Sequence, residues 1–202
     1  MLTAAVNAWA EIASPAAERS VQMKNSSKTA MGGMISALSL VIMLLTAVIP
    51  YLEYALPAMS GILLVLMVIE INKKWALCTY AAVTILSFLI LPNKEAAMMY
   101  FAFFGCYPIL KPVLESTIKS NKLCWLLKAI FFNIVAVCAY LVIIYIFGMP
   151  LDDFEDFGKW TVPILLGMGN IMFVLYDICI TRLVTLYLHK WQRKFRGLFR
   201  FR

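Results

Sequence analysis

Long uncharged apolar runs separated by short polar breaks set the pattern of this 202-residue chain. Residues 29–52 hold no charge, and at about 1.5 Å rise per residue they are long enough to cross the roughly 30 Å core of a bilayer. A second run, YALPAMSGILLVLMVI, lies between Glu53 and Glu70, and a third runs from Trp75 to Leu91. The fourth, from Ala96 to Ile118, is interrupted only by Lys111 and Glu115. The fifth covers Cys124 to Phe147, and the sixth runs from Trp160 to Leu188 with Asp177 and Arg182 inside it.

Turn and breaker residues sit at the ends of these runs: Pro50, Asn72, Pro92-Asn93, Ser120-Asn121 and Gly148-Met149-Pro150. The pattern predicts an all-α polytopic integral membrane protein with six transmembrane helices. Strands of a membrane barrel alternate apolar and polar residues in segments of about ten, and these runs are continuously apolar. The expected organisation is a segment 1–28, a six-helix domain 29–188 and a basic tail 189–202.

Composition agrees. Hydrophobic residues make up 63% and charged residues 14%, against about 45–50% and 25% in a soluble domain. The net charge of +7 comes from 18 basic and 11 acidic residues. With the N-terminus placed in the cytoplasm, 14 of the 18 basic residues fall on that side, Lys73, Lys74, Lys119, Lys122 and Lys128 among them, and only Lys94 and Lys159 fall on the other. This is the positive-inside pattern, with both termini cytoplasmic. Localisation to the plasma membrane follows as the expectation, with the lipid bilayer as the main partner and no nucleic acid. The tail HKWQRKFRGLFRFR reads as a segment lying on the anionic inner leaflet. Residues 1–22 lack the basic start and unbroken apolar stretch of a signal peptide. They read either as an interfacial helix or as sequence upstream of a start at Met23. The five cysteines are widely spaced and form no CxxC, which predicts reduced packing residues.

Catalytic spacings are missing: there is no HExxH, GxSxG or Walker A motif, and His189 is the lone histidine. No catalytic residue, metal site or cofactor is expected, and energy from ATP has to come through a partner. Polar groups at membrane depth are the functional candidates, because they are costly there. Asn133 and Asn170 fall near mid-membrane and either face one polar pocket or hold two helices together. Glu70, Lys111, Glu115, Asp177 and Arg182 collect at the inner ends of spans two, four and six. They predict an internal salt-bridge network or a docking surface, with ion coupling through Asp177 as the alternative. The fourth span carries GCYPILKP, whose Gly105, Pro108 and Pro112 predict an interrupted helix of the kind that marks transporter substrate sites. At the outer side Tyr51, Glu53, Tyr54, Tyr100 and Trp160 are expected to form a polar, aromatic mouth for a small solute. The first span opens with TAMGGMISALS, placing Gly32 four residues from Ser36 and Gly33 four from Ala37, a spacing that lets another helix approach closely.

Together, the size, the six spans, the cytoplasmic termini and the small-residue lead KTAMGGMISALSLVIMLL resemble the substrate-binding S components of energy-coupling factor transporters. The resemblance covers Lys24 to Leu188, with Gly32, Gly33, Ser36 and Ala37 where that family carries an alanine pair. It implies docking of the first helix onto a transmembrane T component, ATPase subunits that drive uptake, and capture of a small-molecule micronutrient. The solute is then expected beneath the loop between spans one and two, with contacts from spans four to six. The alternatives are a non-transporting scaffold of bacterial envelope assembly and an ion-coupled carrier.

Overall fold

A computed structural model describes residues 25–118, 120–147 and 161–187. Every element among them is helical. In chain order they are α1 (Asn25–Leu44), two short 3-10 turns (Leu45–Ala47 and Pro50–Leu52), α2 (Ala55–Glu70) and α3 (Lys73–Ile90). Then follow α4 (Lys94–Met99), a π-helical turn (Tyr100–Phe104), α5 (Tyr107–Thr117), α6 (Asn121–Phe147) and α7 (Thr161–Leu186). Among the described residues five stretches are long and apolar enough to cross a membrane, one of them the broken helix Lys94–Thr117.

The second apolar run forms the shorter α2, whose 16 residues span about 24 Å at 1.5 Å per residue. Its place explains its composition. It touches α1, α3, α4, the π turn, α5 and α7, so it is covered on nearly every side and is apolar all round. Leu56, Leu64, Val65, Met67 and Ile69 are all buried along it.

The outer surface is the reverse of a soluble protein's. Met34, Val41, Ile85, Leu89, Ile134, Ile171 and Leu175 are exposed, while Lys111, Glu115, Lys128 and Asp177 are buried. An apolar exterior around a charged interior suits hydrocarbon as the solvent.

Helix ends follow local rules. Asn93 caps α4 by accepting from the backbone N–H groups of Glu95 and Ala96 at 3.0 and 3.2 Å. Lys94 closes the preceding helix by donating to the carbonyls of Phe88 and Leu91 at 2.7 and 2.8 Å.

The interruption expected at GCYPILKP is a π turn followed by the Gly105–Cys106 turn. Pro108 has no N–H, so the carbonyl of Phe104 four residues earlier loses its helical donor. Tyr176 of α7 supplies one from its hydroxyl at 3.1 Å, and Tyr80 of α3 donates to the nearby carbonyl of Phe101 at 2.7 Å. Two glycines make room for the break. A Cβ on Gly61 would lie 2.1 Å from the Phe104 carbonyl oxygen, and one on Gly105 would lie 2.6 Å from the ring of Tyr80.

Candidate functional site

The buried charges form one cluster on three helices. Lys111 of α5 donates to the side chain of Asp177 of α7, to the Asp177 carbonyl at 2.9 Å and to the Thr181 hydroxyl at 2.7 Å. Lys128 of α6 donates to Glu115 and lies 3.3 Å from Asp177 Oδ1. Tyr107 donates its hydroxyl to the same Asp177 oxygen. Lys111 and Glu115 are one turn apart at 3.6 Å. Two ammonium groups and two carboxylates balance formally, which offsets part of the several kcal/mol each ion costs on leaving water. One atom is left over: Glu115 Oε2 is buried with no hydrogen-bond partner among the described residues.

The expected network therefore forms around Lys111, Glu115 and Asp177, with corrections to its membership. Lys128, counted from the sequence only among the cytoplasmic-side basic residues, is fully buried inside α6 and completes the cluster. Its position seven residues past Asn121 looks like a helix margin in a hydropathy profile. Only the carboxylates on α5 and α7 make burial tolerable. Glu70 does not join the cluster; its carboxylate accepts from the Tyr187 hydroxyl at 2.9 Å. Arg182 is exposed on α7.

Toward the middle of the bundle the cluster meets a layer of aromatic rings. Phe103 stacks on Tyr107 at 5.1 Å and meets Phe132 edge-on at 5.0 Å, and Phe132 stacks on Phe173 at 5.0 Å. Next to this layer Asn133 and Asn170 form a reciprocal pair, each amide N–H donating to the other's oxygen at 3.1 Å. Their remaining donors go to the carbonyls of Ala129 and Leu166 at 2.8 and 2.7 Å. One donor of each amide thus joins α6 to α7, and the other returns to a carbonyl of its own helix.

At the opposite end of the bundle the connection between α1 and α2 is tied to the start of α4. Asn93 donates to Glu53 at 2.7 Å, and Tyr54 donates its hydroxyl to Glu95 at 2.9 Å. Partial burial, with the negative charges of Glu95 and Glu53 beside it, holds the Tyr54 phenol above the ordinary tyrosine range. Tyr51, in contrast, is 97% exposed. Tyr100 is not at the mouth but fully buried below it. The sequence placed it near the surface because it follows the charged Lys94-Glu95, whereas the π turn carries its ring inward. Trp160 lies outside the described residues.

The small residues of α1 do not share a face. Gly32 is buried, and a Cβ there would come 3.2 Å from the Thr79 hydroxyl and 3.5 Å from Met67. Ser36 is half-buried, whereas Gly33 and Ala37 are exposed and nothing lies within 4 Å of a Cβ on Gly33. Gly32 seats α1 on α2 and α3, and Gly33 with Ala37 face outward. The spacing alone could not separate these pairs, because consecutive positions differ by about 100° around a helix.

No protein-family model, no curated protein and no solved structure matches the chain.

Proposed function

We propose that this chain is a membrane-embedded solute-binding subunit of the S-component type, which captures a small molecule from outside the cell for uptake driven by a separate ATPase module. The observation that carries this reading is the latch at one end of the bundle. Glu53 and Tyr54, in the connection between the first two spans, hold Asn93 and Glu95 at the start of the fourth, above the break in that span. A loop fastened by two side-chain bonds opens at little cost compared with separating packed helices. Interrupted helices buried in protein are where membrane carriers place their solutes.

In this account the ionic cluster and the Asn133–Asn170 pair brace spans four to six beneath the site. The outward pair Gly33 and Ala37 on α1 offers a close approach to a transmembrane partner helix. Partners of this kind are a T component and ATPase subunits. Affinity purification of the tagged chain from its own membranes is expected to bring down both, and the purified chain is expected to gain thermal stability from a small water-soluble molecule. Purification without such subunits, together with no response to any solute, favours the scaffold reading instead.

A second reading, an ion-coupled carrier, draws on the Lys111–Asp177 pairing. It requires that Asp177→Asn abolish transport while the protein still folds. Normal transport by that variant excludes it.

A further inference from the structure

Hydroxyl groups in these helices mostly satisfy themselves locally. Thr46, Thr79, Ser87 and Thr181 each donate to a carbonyl three or four residues earlier. Ser39 of α1, Ser60, Thr84 and Tyr100 do not: their oxygens are buried with no hydrogen-bond partner among the described residues. The last three come from three different elements, α2, α3 and the π turn, yet each lies five or six residues from the helix end nearest the latch. That is a common depth of about 8–9 Å at 1.5 Å per residue.

Two neighbouring tyrosines link them laterally. The Tyr100 hydroxyl faces Ser60, and Thr84 lies beside the Tyr80 hydroxyl. The rings of Tyr80 and Tyr100 are 6.0 Å apart, with Gly105 between them. The carbonyls that the break exposes are not their partners, because Tyr80 and Tyr176 already donate to Phe101 and Phe104.

We propose that Ser60, Thr84 and Tyr100 form the buried end of the solute site and bind an uncharged, hydrogen-bonding part of the solute. This rests on the solute-binding reading above. The solute class follows from charge. Residues 55–69, 75–90 and 96–110 contain no Asp, Glu, Lys or Arg, and neither do residues 129–147 or 161–176 of the facing helices. The Lys94 ammonium is held at the helix end by the Phe88 and Leu91 carbonyls, so a carboxylate or phosphate inserted at this depth meets no counter-ion on these stretches and bears a large desolvation cost. A hydroxyl, amide or ring nitrogen meets three groups that can each donate or accept.

The test uses the full chain in lipid nanodiscs, with thermal unfolding followed against pyridoxine and riboflavin as uncharged probes and biotin and pantothenate as carboxylate probes. At least one uncharged probe is expected to raise the Tm of the wild type. Ser60→Ala, Thr84→Val and Tyr100→Phe are each expected to weaken its apparent affinity roughly five-fold, the effect of one neutral hydrogen bond. The unliganded variants should unfold close to the wild type, because each loses a buried hydroxyl with no hydrogen-bond partner among the described residues. Thr84→Ser keeps the hydroxyl and should keep the affinity. Wild-type affinity in all three deletions, for whichever probe stabilises the wild type, overturns this site and leaves the solute-binding reading intact. If no probe stabilises the wild type and no small molecule copurifies, the solute-binding reading falls and this site falls with it.

Discussion

Tyr176 donates its hydroxyl to the carbonyl oxygen of Phe104 at 3.1 Å, and Phe104 is the residue whose carbonyl Pro108 leaves without a helical donor. The break in the fourth span is therefore held open by a side chain from the last helix. Tyr176→Phe keeps the ring in its aromatic neighbourhood and removes only the donor. It is expected to lower stability by about 1–3 kcal/mol, the cost of an unsatisfied buried carbonyl, measured by equilibrium unfolding in detergent. Gly61→Ala is expected to cost more than Gly33→Ala, since its Cβ would lie 2.1 Å from that same oxygen and backbone cannot move aside as a flexible side chain can.

The ionic cluster makes a prediction about pairs. Lys128→Met leaves the buried Glu115 with only the Lys111 ammonium, 3.6 Å away and engaged with Asp177, and is expected to cost about 3–5 kcal/mol. The double variant Lys128→Met/Glu115→Leu removes both charges and is expected to recover much of that loss. Equal destabilisation by the single and double variants would show that the two side chains are not paired.

The asparagine pair is expected to behave in the same way on a smaller scale. Asn170→Leu strands the Asn133 amide, and Asn133→Leu/Asn170→Leu should unfold closer to the wild type than either single variant. Coupling of about 0.6–2 kcal/mol is the range for interhelical hydrogen bonds in membranes. If the amides instead contact solute directly, the double variant folds well and loses binding.

The latch has a pH signature. Tyr54 holds its proton more tightly when folded than when unfolded, its phenol raised first by burial, then by the charge and hydrogen bond of Glu95 and the charge of Glu53. Its contribution is fully present below the unfolded tyrosine pKa, about 10. It falls as pH rises above that value, because the unfolded state then binds fewer protons than the native one. Tyr54→Phe should flatten this part of the stability profile. An unchanged slope would place the alkaline transition elsewhere.

On α1, Gly32→Ile drives a side chain against Thr79 and Met67 and is expected to disrupt folding. Gly33→Ile enters open space and is expected to leave folding intact while abolishing copurification of a transmembrane partner. Retained copurification with Gly33→Ile would remove this face from the docking account.

The helices were legible in the sequence because membrane depth demands continuous apolar runs, and the break at Gly105–Pro108 was legible because proline removes a donor wherever it stands. The partnerships were not. Lys128 reads as one more cytoplasmic-side cation until Glu115 and Asp177 are brought against it. Gly32 and Gly33 are adjacent letters with opposite surroundings. Ser60 and Thr84 are ordinary helix residues by composition, and only in three dimensions do their hydroxyls prove to be buried with no hydrogen-bond partner among the described residues. In each instance the deciding quantity is a contact between distant segments, which periodicity within one segment does not encode.

The most direct measurement is native mass spectrometry of the chain extracted from its own membranes, wild type beside a Tyr54→Phe/Asn93→Ala variant that unfastens the latch. A captured solute predicts one small non-lipid molecule per wild-type chain and its loss from the variant. Lipid adducts alone on both proteins would contradict solute capture.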